Sequence, residues 1–155
     1  MNWGTFDISG LKELQRKLNK LSTNDTHKFM ESCIKELAAR LLRSAKQMTP
    51  VGQYPNNSGK KGGTLRRSWT TDKVGAADNK AVSDWADSAD ISVTGGVYTI
   101  DVINPVEYAS YVEYGHRTKS GGLVPGHFML KISEDELKAA TPQLLENRIS
   151  NFFKI

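Results

Sequence analysis

Cysteine occurs once in these 155 residues and histidine three times, so neither an internal disulfide nor a thiolate metal cluster can form. The lone thiol, Cys33, falls in a helical pattern and reads as a small buried apolar residue. No apolar stretch approaches the roughly 18 residues of a membrane span. The opening residues MNWGTFDISG carry neither the basic start nor the apolar core of a signal peptide. The expectation is a protein made in a cytoplasm, without membrane contact. The glycine pairs do not match the spacing of a phosphate-cradling loop, and no serine or cysteine sits on a glycine-flanked elbow with a histidine and an orienting acid. These absences argue against an enzyme and predict no cofactor.

What is present is an ordinary globular composition, 38% hydrophobic and 25% charged. A chain of this length buries roughly two thirds of its unfolded surface in one core, so residues 1–155 are expected to form a single domain. Leu11, Leu14, Leu18 and Leu21 recur at helical steps after Asp7 and Ser9, predicting an amphipathic helix from about Ser9 to Leu21. From Thr26 to Met48 the positions Met30, Ile34, Leu37, Leu41, Ala45 and Met48 mark one face of a long helix, which Pro50 ends.

The chain then changes character. GQYPNNSGKKGG has no apolar periodicity and predicts a mobile surface loop at about 52–63. Alternation of Leu65, Arg67 and Trp69 with Arg66 and Ser68 predicts a strand over Leu65 to Lys73, and an irregular loop is expected at about 75–90. Ile91 and Val93, a turn at Thr94 to Gly96, and then Tyr98, Ile100 and Val102 spell a hairpin. A short helix through Tyr108, Tyr111 and Val112 should stop at Gly115. Ser133 with Glu136 reads as a capping box, and Pro142 predicts a break at Thr141. The fold class expected is α+β, an antiparallel sheet of about three or four strands against the long helix, with further helices at both ends and long loops.

Charge is segregated along the chain. Between Arg43 and Lys73 stand seven basic residues and a single acid, Asp72, in a protein whose net charge is +4. A flexible loop carrying Lys60 and Lys61, followed by Arg66 and Arg67, can neutralise phosphates without reading base sequence, although most basic loops are simply solvated. Asp84, Asp87 and Asp90 offer an acidic counterpart, which in a head-to-tail ring would set register. Tyr108, Tyr111 and Tyr114 step by three and share roughly one helix face, either against the domain's own sheet or toward a partner. Glu113, His116 and His127 compose a conceivable metal site. A bundle site of that type needs a second carboxylate–histidine pair, and the remaining histidine, His27, sits beside Lys28. A surface histidine near a glycine turn is the simpler reading.

Two segments carry a resemblance. The run YASYVEYGHRT, Tyr108 to Thr118, contains a Tyr-Ala pair and the step Glu113-Tyr114-Gly115; Pro125 then leads into Phe128 and Met129. Upstream, Thr49, Pro50 and Val51 precede GGTLRRSW, Gly62 to Trp69. Together these resemble the small tail-component or neck family of long-tailed bacteriophages of the Hong Kong 97 type, over about Ile8 to Leu145. The resemblance implies a structural virion protein at the neck or head-proximal tail end, in a ring that completes the tail or joins it to the head. It implies six copies as the ring, contacts with other neck, connector and tail-tube proteins, and non-specific contact with DNA in the lumen. The protein would lie in the virion, and in the host cytoplasm during assembly. Interface or lumen candidates are Lys60, Lys61, Arg66, Arg67, Tyr108, Tyr111, Glu113, Tyr114, His116 and Arg117. The rival readings are a sequence-independent nucleic-acid-binding module and a metal-dependent hydrolase.

Overall fold

The computed structural model describes Arg16, residues 23–69 and residues 79–153, with the backbone alone at 79–81 and 83. Except for Arg16, the helix expected over Ser9 to Leu21 lies outside these residues, as does the stretch 70–78. Helix α1, Thr23–Met48, is rich in strong helix formers and spans about 39 Å at 1.5 Å per residue. It stops where expected. Thr49 bonds the Ala45 carbonyl through both its N–H and its hydroxyl, at 3.0 and 2.6 Å, and Pro50 has no N–H to continue the ladder. Cys33 is buried, as expected.

The buried face of α1 is displaced from the expected stripe. Cys33, Ala38, Ala39, Leu42 and Ala45 are the buried residues, while Met30 and Met48 are exposed. The reason is that α1 has helical neighbours on two sides. Its most enclosed arc lies between them, and alanines there allow close approach.

One of those neighbours is helix α3, Asn79–Ser88, which contributes Val82 and Ala86 to the core within a stretch expected to be irregular. The other is the C-terminal helix α5, Met129–Phe153, which runs antiparallel to α1. Ser133 reaches Met48, Glu136 accepts from Ser44, Arg148 binds Ser32 and Glu36, and the Phe152 ring packs on Phe29.

Two further expectations are corrected here. The helix starts at Met129, not at a Ser133 cap; Ser133 is interior, its hydroxyl bonded to the Met129 carbonyl at 2.7 Å. Pro142 lies within the continuous helix, where the Thr141 hydroxyl bonds the Leu137 carbonyl at 2.7 Å. Contacts with α1 on both sides of the proline hold the two halves in line.

The expected strand over Leu65 to Lys73 begins instead as a single helical turn, α2, Thr64–Arg67. Leu65, Ser68 and Trp69 are buried, the three- and four-residue steps of a helix rather than the alternation of a strand. Among the described residues the β-structure is two separate antiparallel pairs rather than one sheet of three or four strands. Strands β1, Ser92–Thr94, and β2, Val97–Thr99, form the expected hairpin, with Val93 opposite Tyr98. Gly95 and Gly96 both have positive φ, 59° and 80°, as a two-residue type I′ turn demands. The Tyr98 hydroxyl and His27 Nδ1 form a hydrogen bond that ties this hairpin to the start of α1. The expected short helix is present as α4, Ala109–Tyr114. It leads directly into the second pair, β3, Gly115–Arg117, and β4, Leu123–Pro125. The α+β class with a long helix stands, with the core formed by α1, α2, α3, Trp69, Val106 and Met129.

The α1–α5 contact includes an acid-sensitive clasp. The hydrogen bond from Arg40, reinforced by the charge and hydrogen bond of Arg148, holds the Glu36 carboxyl below its ordinary value of 4.5. Because the folded pKa is depressed, the stability it confers is present above about 4.5 and lost as pH falls through the lowered folded value. Glu36→Gln should therefore lower Tm at neutral pH and flatten the further fall of Tm below about pH 4.5, measured by thermal melts across pH. An unchanged acid profile would show that the clasp contributes nothing.

Candidate contact groove

Two joints build the candidate site, and each uses residues that the sequence marks. At the first, the Thr49 carbonyl receives Arg66 Nε and Nη2 at 3.0 and 2.6 Å, while Trp69 Nε1 donates to the Thr49 hydroxyl at 2.8 Å. Arg67 Nη1 donates to the Gly62 carbonyl at 3.0 Å, and a Cβ on Gly62 would stand 2.0 Å from the Gly52 carbonyl oxygen. The ends of the 52–62 loop are thus pinched together in the manner of an Ω-loop.

At the second joint the Glu113 side chain points inward, and the residue is only 7% exposed. Its two carboxylate oxygens each accept a backbone N–H from the first turn of α5, Leu130 and Lys131, both at 3.0 Å. These donors have no partner within their own helix, and the helix dipole favours an anion there. The Val112 and Glu113 carbonyls also receive the His127 and Phe128 N–H groups at 2.8 and 3.0 Å. So close a crossing admits no side chain at two places. Gly115, at φ 79° and ψ 173°, occupies backbone space essentially reserved for glycine. A Cβ there would meet the Val124 carbonyl oxygen at 2.4 Å, and one on Gly126 would meet the Glu113 carbonyl oxygen at 2.3 Å.

Between the joints lies an open groove of about 280 Å³. The chain around Pro50 to Tyr54 forms one wall, and Tyr108, Tyr111, Val112, Val124 and Pro125 form the other. Lys61, His116 and His127 supply polar groups, and among the described residues no aspartate or glutamate lines it. Tyr111 packs against the His116 ring at 5.6 Å between centroids, and Lys60 Nζ lies 5.8 Å from the Tyr54 ring centroid.

The sequence-predicted residues divide. Lys61, Tyr108, Tyr111 and His116 converge on the groove, with Lys60 at its rim. Arg117 is exposed on β3. Arg66 and Arg67 are half-buried and bound to backbone carbonyls, and Glu113 is committed to the α5 terminus.

Tyr114 is 70% exposed but borders a different cleft, beside Trp69 and Leu130. Each three-residue step falls about 60° short of a full turn, so Tyr114 has rotated about 120° from Tyr108. The conceived metal trio does not assemble. Among the described residues no group of three His, Cys, Asp or Glu side chains is placed to hold a metal ion. Pro50, Val51, Tyr54 and Val124 also line the groove without having been singled out as site residues, and His127, weighed only as a metal ligand, lines it too. Apart from Tyr54, which lies in the loop, their signal was a place in or beside the two marked segments, which no local pattern brings together.

These features define a small α+β protein with an open, partly aromatic groove. The chain belongs to the family described as "Bacteriophage HK97-gp10, putative tail-component", whose model matches residues 12–115. The match contains both the Thr49 to Trp69 segment and the Glu113-Tyr114-Gly115 step, and it ends before Pro125. No curated protein and no solved structure matches the chain. Membership fits a structural part rather than a catalyst, and among the described residues no helix is long and apolar enough to cross a membrane.

Glu113→Ala should leave two first-turn N–H groups unanswered at a cost of about 1–3 kcal/mol. At about 2–4 °C per kcal/mol for a chain of this size, Tm should drop by several degrees. Gly126→Ala, which forces backbone apart, should cost more than Glu113→Ala. A Glu113→Ala melt within a degree of the parent would show that the carboxylate does not hold the joint.

Proposed function

We propose that this protein is a ring-forming virion subunit at the neck or head-proximal end of a long-tailed phage particle, where it completes the tail or joins it to the head. Family membership supports a tail component. The observation that carries the finer reading is the amount of large apolar surface left in water. Tyr108 at the start of α4, Tyr111 and Tyr114 on it, Leu123 and Val124 on β4, and Ile132, Ile149 and Phe152 on α5 are all exposed. A contiguous exposed apolar patch is a mark of protein–protein contact, such as Tyr108, Tyr111 and Val124 form along one groove, and aromatic residues are enriched in such contacts. A subunit between neighbours in a ring, and between layers above and below, would cover these faces.

Six copies match the symmetry of a tail tube, with neck, connector and tube proteins as neighbours. Assembly would begin in the host cytoplasm and end in the virion. DNA passing through the lumen would meet the cations that remain available. These are Lys60 and Lys61 rather than Arg66 and Arg67, whose guanidinium groups are engaged with backbone carbonyls. Losing two of four cations weakens the reading as an isolated nucleic-acid-binding module.

Disruption of the gene in the source phage or prophage, followed by electron microscopy, tests the proposal. Filled heads beside separate tails, or tails of irregular length, are the expected result. Joined particles of normal length would overturn it and favour the nucleic-acid-binding alternative. A second test concerns the loop alone. Lys60→Ala with Lys61→Ala should leave Tm unchanged, whereas Arg66→Ala should cost about 1–3 kcal/mol of stability through loss of its bonds to the Thr49 carbonyl, and so lower Tm by several degrees. Equal melts for the two variants would contradict the structural role of Arg66.

A further inference from the structure

We propose that the groove and its lysine rim receive the acidic end of helix α3, with the adjoining β1–β2 hairpin, from a second copy of this chain. The inference rests on the ring reading and specifies which two faces meet.

The acidic face is built from Asp84, Asp87 and Asp90, all exposed. Among the described residues none of the three side chains forms an ion pair. They cluster at the C-terminal end of α3 and just beyond it, where the helix dipole is already negative and further negative charge is unfavourable. Lys35 answers the Asp87 carbonyl at this end, but the three carboxylates themselves are left for a cation brought from outside. Next to the acids stand Val93 and Val97, exposed on the hairpin, so the patch is apolar as well as acidic.

The groove has the complementary composition. Its walls are apolar and aromatic, Lys61 and His116 line it, Lys60 stands at its rim, and no acid lies within it. Charge complementarity of this kind fixes register and orientation between partners.

The two faces cannot meet within one molecule. Lys35 Nζ donates to the Asp87 carbonyl at 2.7 Å, fastening the acidic end of α3 to the first half of α1. The groove begins at Pro50, past the far end of the same helix. From Lys35 the helix runs on to its end at Met48, about 20 Å at 1.5 Å per residue, before the groove begins. Two different complementary patches on one rigid subunit make a heterologous contact, which repeats from copy to copy and closes as a ring or extends as a filament.

The test uses the full-length chain in sedimentation velocity at low ionic strength, with two charge-reversed forms. One carries Lys60→Glu and Lys61→Glu; the other carries Asp84→Lys and Asp87→Lys. Each alone should raise the self-dissociation constant at least about tenfold, because like charges now oppose across the contact. Mixed in equal amounts they should associate again. The acidic groove of one form then faces the basic α3 of the other, and the two native faces meet at the alternate contact. Raising salt should weaken the parent assembly. The Asp84→Lys, Asp87→Lys form should also melt no lower than the parent as a monomer, since cations suit a helix C-terminus; this separates lost contact from lost fold. Rings that persist unchanged in both reversed forms would overturn this contact and leave the ring reading standing. A parent chain that stays monomeric, with no association in the mixture, would overturn both.

Discussion

The carboxylate of Glu113 at the start of helix α5 is the contact on which the rest of the architecture depends. The short helix α4 delivers it, the β3–β4 hairpin returns the chain to it, and α5 leaves from it. Because both oxygens are engaged by consecutive N–H groups, the direction of α5 is set at its first turn, and the helix then lies along α1 for its whole length. Glycines at 115 and 126 are the consequence, since the crossing strands approach closer than a Cβ allows. A segment that reads as a set of interface residues is therefore first a structural joint. Its display of Tyr108, Tyr111 and His116 follows from that joint.

The second joint, around Thr49, fixes the opposite wall. The hydroxyl of Thr49 both terminates α1 and receives the Trp69 indole, while its carbonyl receives Arg66. The Asn104 side chain carries the connection onward to the Leu65 carbonyl at 2.9 Å, and Val106 and Met129 complete the packing between the two joints. The groove is the space left between these two joints, and the loop residues that line it, Gly52, Tyr54, Lys61 and Gly62, belong to a loop whose ends are pinched together at Gly52 and Gly62. This is what a docking surface needs. A partner meeting a preformed site gives up less conformational freedom on binding than one that must order it.

Legibility from sequence followed the range of the interactions. The end of α1 at Pro50, the glycine-glycine hairpin and the short α4 were all readable, because each is decided by residues within a few positions of one another. The failures have non-local causes. The start of α5 is set by a carboxylate 16 residues upstream of Met129, so the local Ser133–Glu136 pattern pointed to the wrong place. The helix passes through Pro142 because α1 braces it on both sides. Leu65 and Trp69 alternate like a strand, yet the bonds of Arg66 and Trp69 to Thr49 impose a helical turn. The same pair of joints reassigned residues within the candidate site. Arg66, Arg67 and Glu113 carry charge that sequence alone placed at an interface, and their partners are backbone groups, far away in the chain for Arg66 and Glu113 and five residues away for Arg67. The marked segments do meet in the fold, but which of their residues are bound inward and which stay exposed was invisible without it.

Amide hydrogen exchange at Leu130 and Lys131, followed by NMR, is the most direct test of the claim that the marked segment is a structural joint. N–H groups in the first turn of a helix ordinarily exchange fast, because no carbonyl of their own helix covers them. Here they should exchange as slowly as the amide of Leu42 in the buried middle of α1. Fast exchange at both positions, with Leu42 protected, would mean that Glu113 does not hold the terminus and that the joint is not what orders this fold.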